Sequence, residues 1–401
     1  MARYDVVVVG GGISGLSLGV RAARAGRQVA VVEKSSRPGG CLYTHRTPSG
    51  FWLELGAHTC YNSYESLIEL IDALNIRSKV ARRIPTKLRF FDGAVLLPGN
   101  NLGALIRLLS LRELICAVPR AFGGSKEGQT IAGYYSRIVG PSNFARVLGP
   151  LLSAVPSQRA DEFPADILFK SRKSRRKDYP RSFTLSGGLT TVVEAMSECP
   201  GVTVLRGKGA VRVSHGNGQF SVTLDGGELL QAPLLGLAVP PSEAATLLAA
   251  FNPGIATAVS QIREVCVESV GVVVRCEEVK LPVSMFIVPL KGGFHSAVSR
   301  DSIPDPARRS FTFHFSAGGR LDERLQIVSR VLGADSRSFE EIVENMTRLP
   351  APTLGHQALI QQIDSQLLGT SLAITGNWFD GLAIEDCVRR SEREWKRLEA
   401  L

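Results

Sequence analysis

The segment Tyr4 to Glu33, YDVVVVGGGISGLSLGVRAARAGRQVAVVE, constrains the fold of this chain more than any other. Asp5 to Val9 is dominated by β-branched residues and predicts a strand; after three glycines, small and apolar residues follow at helical spacing as far as Gly26; Gln28 to Val32 predicts a second strand. That order is a βαβ unit. The glycines fall as Gly10-x-Gly12-x-x-Gly15 between strand and helix. Gly10 permits the tight turn, Gly12 lets backbone approach a pyrophosphate, and Gly15 lets the helix lie close to the sheet. The helix start adds free N–H groups and partial positive charge facing phosphate. Glu33 closes the second strand, where a carboxylate accepts both ribose hydroxyls and repels a 2′-phosphate. FAD or NAD therefore fits better than NADP.

At 401 residues the chain is too long for one ordinary core and predicts two domains, interleaved along the sequence. With 44% hydrophobic and 21% charged residues it has a globular composition, and no apolar run approaches the roughly 20 residues needed to span a bilayer. Only Met-Ala-Arg precede the first strand region, which predicts no signal peptide. The seven cysteines are odd in number, scattered and without a CxxC pair, as expected of reduced thiols in a cytoplasmic protein with no metal site. Much of the net charge of +10 lies in Lys170 to Lys177. That run suits a solvated loop, a patch for anionic lipid or an acidic protein, or a rim for an anionic substrate; without interleaved aromatics it does not suit nucleic acid.

Along the chain, Gly39-Gly40 lets backbone pass close to something flat or anionic just beyond the ribose acid. Tyr64 to Leu74 predicts an amphipathic helix and Lys87 to Pro98 a hairpin around Asp92-Gly93. Leu102 to about Leu152 has a helical pattern with breaks at Pro119, around Gly123-Gly124 and near Pro141. Its leucine-rich part, Leu102 to Val118, is expected to pack in a core, with docking on a membrane face as the alternative. A helix from Leu189 to Met196 and strands at Val202 to Leu205, Ala210 to Val213, Phe220 to Leu224 and Leu234 to Val239 return to the nucleotide domain. Val265 to Val274, Met285 to Pro289 and Phe311 to Phe315 predict an antiparallel sheet, completed by helices at Asp322 to Leu332 and Phe339 to Met346. Ser371 to Thr375 predicts a last strand, and Ile384 to Leu398 a helix whose start again suits an anion.

With these pieces the chain resembles the FAD-dependent amine oxidase superfamily, and within it the oxygen-dependent protoporphyrinogen oxidases. The matching stretches are VVEKSSRPGG (31–40) and GFWLELGAHT (50–59) after the fingerprint, SFTLSGGLTTV (182–192), and GNWFDGLAIEDCV (376–388), whose Asp386-Cys387 ending is the most specific. LPAPTLGH (349–356) is similar to the segment before that family's last strand. The resemblance implies an α/β fold: a Rossmann-type FAD-binding domain (1–85, 186–261 and 355–401) interleaved with an α+β substrate domain (86–185 and 262–354), the latter an antiparallel sheet with a mainly helical insertion at 102–180.

The same resemblance implies that Gly10, Gly12, Ile13, Ser14 and Gly15 hold the FAD pyrophosphate, Glu33 the ribose, and Lys34 and the Val211 backbone the adenosine. Gly39 and Gly40 would pass the flavin half, Gly56, Ala57 and His58 would lie against the isoalloxazine, and Gly376 and Asn377 would approach the pyrophosphate. Leu382, Ala383 and Ile384 would aim helix N–H groups at the flavin C2 carbonyl, where reduced flavin gathers negative charge. Cys41 departs from the family, standing where many members have arginine. The chain is also short, with the loss between Asn252 and Pro350. The implied activity is hydride removal from a hydrophobic small molecule, foremost protoporphyrinogen IX, with oxygen or a quinone as acceptor. An amine, a desaturase substrate or a specialised metabolite is the alternative, and a non-redox flavoprotein like UDP-galactopyranose mutase a second. Arg172, Lys173, Arg175 and Arg176 are candidates for a cationic mouth by charge alone. No residue identifies itself as a catalytic base, and the six histidines, isolated in sequence, read as structural.

Overall fold

Five strands, Val202–Arg206, Val29–Glu33, Val6–Val9, Leu234–Leu237 and Leu372–Ile374, lie side by side in that order and all parallel in the computed structural model, which describes residues 1–99, 108–121, 124–168, 172, 174–301 and 303–401. Val6 to Val8 and Val29 to Val31 are fully buried because helices cover both faces of this sheet, as a parallel sheet requires. The fingerprint helix, Ile13–Arg24, covers one face and carries the final helix, Ile384–Glu399, against it. Leu16, Val20, Val388, Trp395 and Leu398 share their apolar seam. Ser391 Oγ donates to the carbonyl of Ser14 at 2.8 Å, and Arg21 meets Glu392 at 3.2 Å. Residues almost 400 positions apart therefore pack as neighbours.

A second sheet of seven strands runs Phe339–Pro350, Glu264–Arg275, Arg308–Ser316, Ser296–Ser299, Ser284–Pro289, Lys87–Phe91 and Leu96–Pro98. Its pairings are antiparallel except that of Ser284–Pro289 with Lys87–Phe91. The hairpin turns where expected: Asp92 Oδ1 accepts from the amides of Ala94 and Val95, and Gly93 has φ +108°. Over this sheet pack helices including Ile131–Val139 and Gly149–Ala154 on one side and Leu321–Leu332 on the other, while Leu111–Ala121 lies against Ile131–Val139.

Two expectations are overturned outright, and a third, core packing of Leu102 to Val118, fails at Leu111, Ile115 and Val118, which are exposed. Phe339 to Met346 is not a helix but most of an outer strand, paired along its length with Glu264–Arg275. Its charged residues misled: exposure alternates residue by residue, the period of a half-buried strand. Pro119 does not break the helical segment; it lies inside Leu111–Ala121, where the ring forfeits one hydrogen bond just before the helix ends. The expected break near Pro141 is present, since Gly140 takes φ +89° and Pro141 starts the next turn. The first part of the leucine-rich segment, Leu102 to Arg107, and Gly123 lie outside the described residues.

A two-stranded hairpin of Thr44–Arg46 and Trp52–Glu54 packs against the seven-stranded sheet at Glu264–Arg275 and Arg308–Ser316. Thr312 Oγ1 donates to the carbonyl of Glu54 at 2.7 Å, and a Cβ on Gly271 would lie 2.5 Å from Leu55 Cδ2 and 2.6 Å from Leu53 Cδ1. Gly271→Val is expected to cost about 1–3 kcal/mol by overpacking this junction, read as a lower urea midpoint. Gly216→Val, at a strand position with open space around it, is expected to leave the midpoint unchanged.

Candidate functional site

The glycine turn is built as its spacing requires. A Cβ on Gly15 would strike the carbonyl of Gly10, so that glycine is needed for packing. A Cβ on Gly12 would meet nothing closer than Gly40 Cα at 3.9 Å. Gly12 and Gly39 form a bridge, the amide of Gly39 donates to the carbonyl of Gly11 at 2.8 Å, and Gly40 takes φ +56°. Two bare stretches of backbone thus face each other beside the start of a helix whose N-cap, Gly12, offers no side-chain acceptor. Ile13 and Ser14 are buried in that first turn. Glu33 lies at its edge, Oε2 accepting from the amide of Gly11 and Oε1 from that of Ser35, both at 2.8 Å. Each oxygen retains a lone pair for a ribose hydroxyl. Lys34 is exposed beside it, and Val211 is exposed at a bulge between Ala210 and Arg212 in a strand of a separate four-stranded sheet.

The final helix completes the cradle. Its N-cap Ala383 offers no side-chain acceptor, while Glu385 turns away to cap another helix, Glu65–Ala73, accepting from the amides of Ser66 at 3.1 Å and Leu67 at 3.0 Å. Asn377 Nδ2 reaches Cys41 Sγ at 3.8 Å, joining the last loop to the residue after Gly40. Gly376 is buried against Trp378, and Ile384 is buried behind the helix start.

From this junction a cavity of about 440 Å³ runs along the seven-stranded sheet. Gly56, Ala57, His58, Asn377, Leu382 and Ala383 line it together, as do Cys41 and Asp386. Val155, Phe163, Ile167, Leu168, Phe286 and Leu349 make much of the remaining wall apolar. Burial pushes the Cys41 thiol up to about 11, so it is a neutral lining group. Cys387 is buried against the fingerprint helix and pushed up to about 12 for the same reason. Asp386 holds Arg172 at 2.7 Å, and that guanidinium lies 5.1 Å over the ring of Tyr64.

Among the described residues of the basic run, Arg172 and Arg176 are held by acids and Arg175 is exposed. Arg172 lines the cavity already paired; Arg176 is tied to Asp72 at 3.1 Å and Asp178 at 2.8 Å; Arg175 donates to the carbonyl of Arg172. Lys170, Ser171 and Lys173 lie outside the described residues.

Sequence reasoning missed a polar cluster in the cavity wall. His58, His314 and His356 all line the cavity, although they are far apart in sequence. His314 Nε2 lies 3.2 Å from Arg300 Nη2, and His314 Nδ1 lies 2.9 Å from Ser269 Oγ. Because a guanidinium only donates, Nε2 accepts, and the neutral ring carries its proton on Nδ1. Burial and the neighbouring arginine hold His314 well below the usual histidine range; His58 is lowered by the same two causes, with Arg83 adding to them. Behind them Glu54 accepts from the amide of Leu189 at 2.6 Å and from Thr44 Oγ1 at 2.9 Å; burial pushes its carboxyl up to about 7. Arg83, just beyond the strand Val80–Arg82, donates to Thr59 Oγ1. Glu54, His58 and Thr59 share the stretch 50–59, but Arg83, Ser269, Arg300 and His314 belong to no motif with it, so spacing carries no signal for them.

The cradle fits FAD: a pyrophosphate has open backbone at Gly12 and Gly40, a ribose has Glu33, and a ring system has the cavity beyond Cys41. Residues 13–280 match the family model for flavin containing amine oxidoreductases. An L-amino acid dehydrogenase of Synechocystis is 30% identical over 89 residues, 22% of this chain and 19% of that protein, so the match spans about a fifth of the relative. The crystal structure of "Putative protoporphyrinogen oxidase from Exiguobacterium sp. 255-15" superposes with a TM-score of 0.80 at 19% identity, covering 100% of this chain and 99% of that one. Reduced UDP-galactopyranose mutase superposes with a TM-score of 0.76 at 13% identity, covering 99% and 95%. At such identities the structural likeness speaks for the fold.

Two glycines separate packing from cofactor binding. Gly12→Val is expected to fold with a melting temperature within about 2 °C of the FAD-free parent and to lose FAD by at least about 100-fold in affinity, since its side chain occupies the phosphate's space. Gly15→Ala is expected to lower the melting temperature of the FAD-free protein itself. Thermal unfolding with and without FAD, and flavin released per chain, check both.

Proposed function

The chain belongs to the flavin-containing amine oxidoreductase family, and from that premise we propose that it oxidises a hydrophobic small molecule by hydride removal, foremost protoporphyrinogen IX to protoporphyrin IX. One observation supports the reading: the uncapped start of the final helix lines a cavity with a largely apolar wall, and the Gly39-Gly40 turn beside the uncapped start of the fingerprint helix leads directly into Cys41, which lines the same cavity. We assign cofactor binding to 1–85, 186–261 and 355–401, and substrate binding to 86–185 and 262–354. Gly10, Gly12, Ile13, Ser14, Gly15, Gly376 and Asn377 would hold the pyrophosphate. Glu33, Lys34 and the Val211 backbone would hold the adenosine, and Gly39 and Gly40 would flank the passage. Gly56, Ala57, His58 and the helix start at Leu382, Ala383 and Ile384 would position the ring.

Bound there, FAD supplies the hydride acceptor and passes electrons to oxygen or a quinone. The protein's share is placement and exclusion of water: the apolar wall desolvates the substrate, and the helix start offers N–H groups where negative charge develops. Among the described lining residues Asp386 is the sole carboxylate, and Arg172 neutralises it. Such a wall repels an alkylammonium, so a simple amine suits it less than a porphyrinogen does. An amino acid remains the second reading, since its carboxylate suits the cationic wall and the Synechocystis relative is named for that substrate. The apolar wall also disfavours a nucleotide sugar, the substrate that a mutase-like protein would need. Exposed Leu111, Ile115 and Val118 lie on one face of a helix and suit contact with a membrane surface, a fitting source of so apolar a substrate. Among the described residues no helix is long and apolar enough to cross a membrane.

Purified protein is expected to carry about one FAD per chain, and protoporphyrinogen IX added without oxygen is expected to bleach the flavin band near 450 nm, roughly the usual position for oxidised flavin. Protein that carries FAD but stays oxidised with protoporphyrinogen, and is bleached by an amino acid instead, would overturn the porphyrinogen reading and favour the second.

A further inference from the structure

The outer strand of the seven-stranded sheet, Phe339–Pro350, is 12 residues long, pairs along one edge with Glu264–Arg275, and has no strand on its other edge among the described residues. A free edge of that length presents a row of N–H and C=O groups to any strand that can reach it, and proteins blunt such edges by keeping them short or ending them with proline. The sheet's opposite edge follows that rule, since Leu96–Pro98 has 3 residues and ends in proline. Phe339–Pro350 does not. Its irregularity is a bulge at Glu340, where Glu341 pairs with Val273 and Phe339 with Val274, so the ladder from Glu341 to Pro350 is regular. Two large apolar side chains on one face of the strand are exposed, Ile342 at 39% and Met346 at 65%.

Charge along the strand selects the occupant. Antiparallel pairing with a second copy, about a two-fold axis through Met346, sets Glu344 opposite the partner's Arg348 and Arg348 opposite the partner's Glu344, with the two methionines facing each other between them. On the strand's other face Val343 meets the partner's Leu349. Asn345, whose Nδ2 donates to Thr347 Oγ1 of its own chain at 3.0 Å, meets the partner's Thr347. Moving the axis by two residues stacks Glu344 on Glu344 or Arg348 on Arg348; moving it by one sets Arg348 against Ile342 or Met346. Opposite charges across a strand pair stabilise it and like charges oppose it, so one register is favoured. Glu344 Oε1 lies 3.7 Å from Arg324 Nη1, and Arg348 Nη1 lies 3.7 Å from Glu243 Oε1, long contacts that leave both side chains about half exposed and able to reach across.

We propose that Phe339–Pro350 is a dimer interface, at which two copies of this chain join their seven-stranded sheets edge to edge in the register centred on Met346. Main-chain hydrogen bonds supply the attraction, and the two pairs of Glu344 with Arg348 fix the register. Thr347, Leu349 and Pro350 also line the cavity, so the cavity of each copy lies against the joined strands. An interface confined to strand edges belongs to the small, weak class, with a dissociation constant on the order of 1–100 µM.

Sedimentation equilibrium of the purified FAD-loaded protein, from about 1 to about 300 µM, is expected to show monomer passing into dimer. Arg348→Glu sets two acids opposite each other and Glu344→Arg two bases, and each alone is expected to weaken the dimer at least about 10-fold. An equimolar mixture of the two variants is expected to restore it, because unlike charges then face each other at both positions. Mild oxidation of Met346→Cys is expected to give a covalent dimer, since residues opposite one another at the axis lie within disulfide reach. Ile342→Cys, set opposite the partner's Pro350, is expected to give none. The parent protein under the same oxidation accounts for the exposed thiols Cys116 and Cys266. A protein that stays monomeric over the whole range, or a dimer unmoved by both charge variants, would overturn the proposal. Sedimentation of the unaltered protein decides the matter should a variant fail to fold.

Discussion

Peptide N–H groups that no side chain caps are the constraint around which the molecule is arranged. A helix start leaves donors that must find an acceptor, and two such starts lie side by side here because the fingerprint helix and the final helix pack along one seam. Small side chains make the approach possible: Ser391 donates to the carbonyl of Ser14, and Cys387 is buried against the same helix. Larger residues at these points would separate the helices and the donors with them. The acids in the final helix's first turn do not quench the donors. Glu385 caps a neighbouring helix and Asp386 is occupied by Arg172, so the positive end of the helix stays available to the cavity.

The Asp386-Cys387 pair thereby acquires a physical meaning. Asp386 clamps Arg172, which lies over Tyr64 and carries one part of the segment between the helical insertion and the strand Ser182–Leu185. Arg176 ties the same segment to Asp72 on the helix that Glu385 caps. Two described residues of the basic run, Arg172 and Arg176, are in this way bound down, Arg172 along the cavity wall.

How much of this was legible in the chain follows the range of the interactions. The glycine turn, its strand and helix, and Glu33 are local, and each residue type has one physical reason for its place. The antiparallel sheet could be read from alternation in Val265 to Val274 and Phe311 to Phe315. Phe339 to Pro350 could not, because its exposed positions carry Glu340, Glu344 and Arg348, whose spacing of four fits a helix as well as an outer strand. Pro119 read as a stop, yet near the end of a helix a proline costs little more than the bond that the end would lose anyway. The wall of the cavity was the least legible. Ser269 and His314 face each other across paired antiparallel strands, Arg300 follows the next strand and Arg83 a strand of another sheet, and single histidines and arginines carry no spacing signal.

The central claim is that helix starts from both ends of the chain bind one flavin, and hydrogen exchange tests it directly. Amides of residues 12–16 and 383–387 are compared in the FAD-free and FAD-loaded protein. The account predicts that both segments slow together on loading, with the same dependence on FAD concentration. Protection confined to the first segment, with the second exchanging as before, would contradict it.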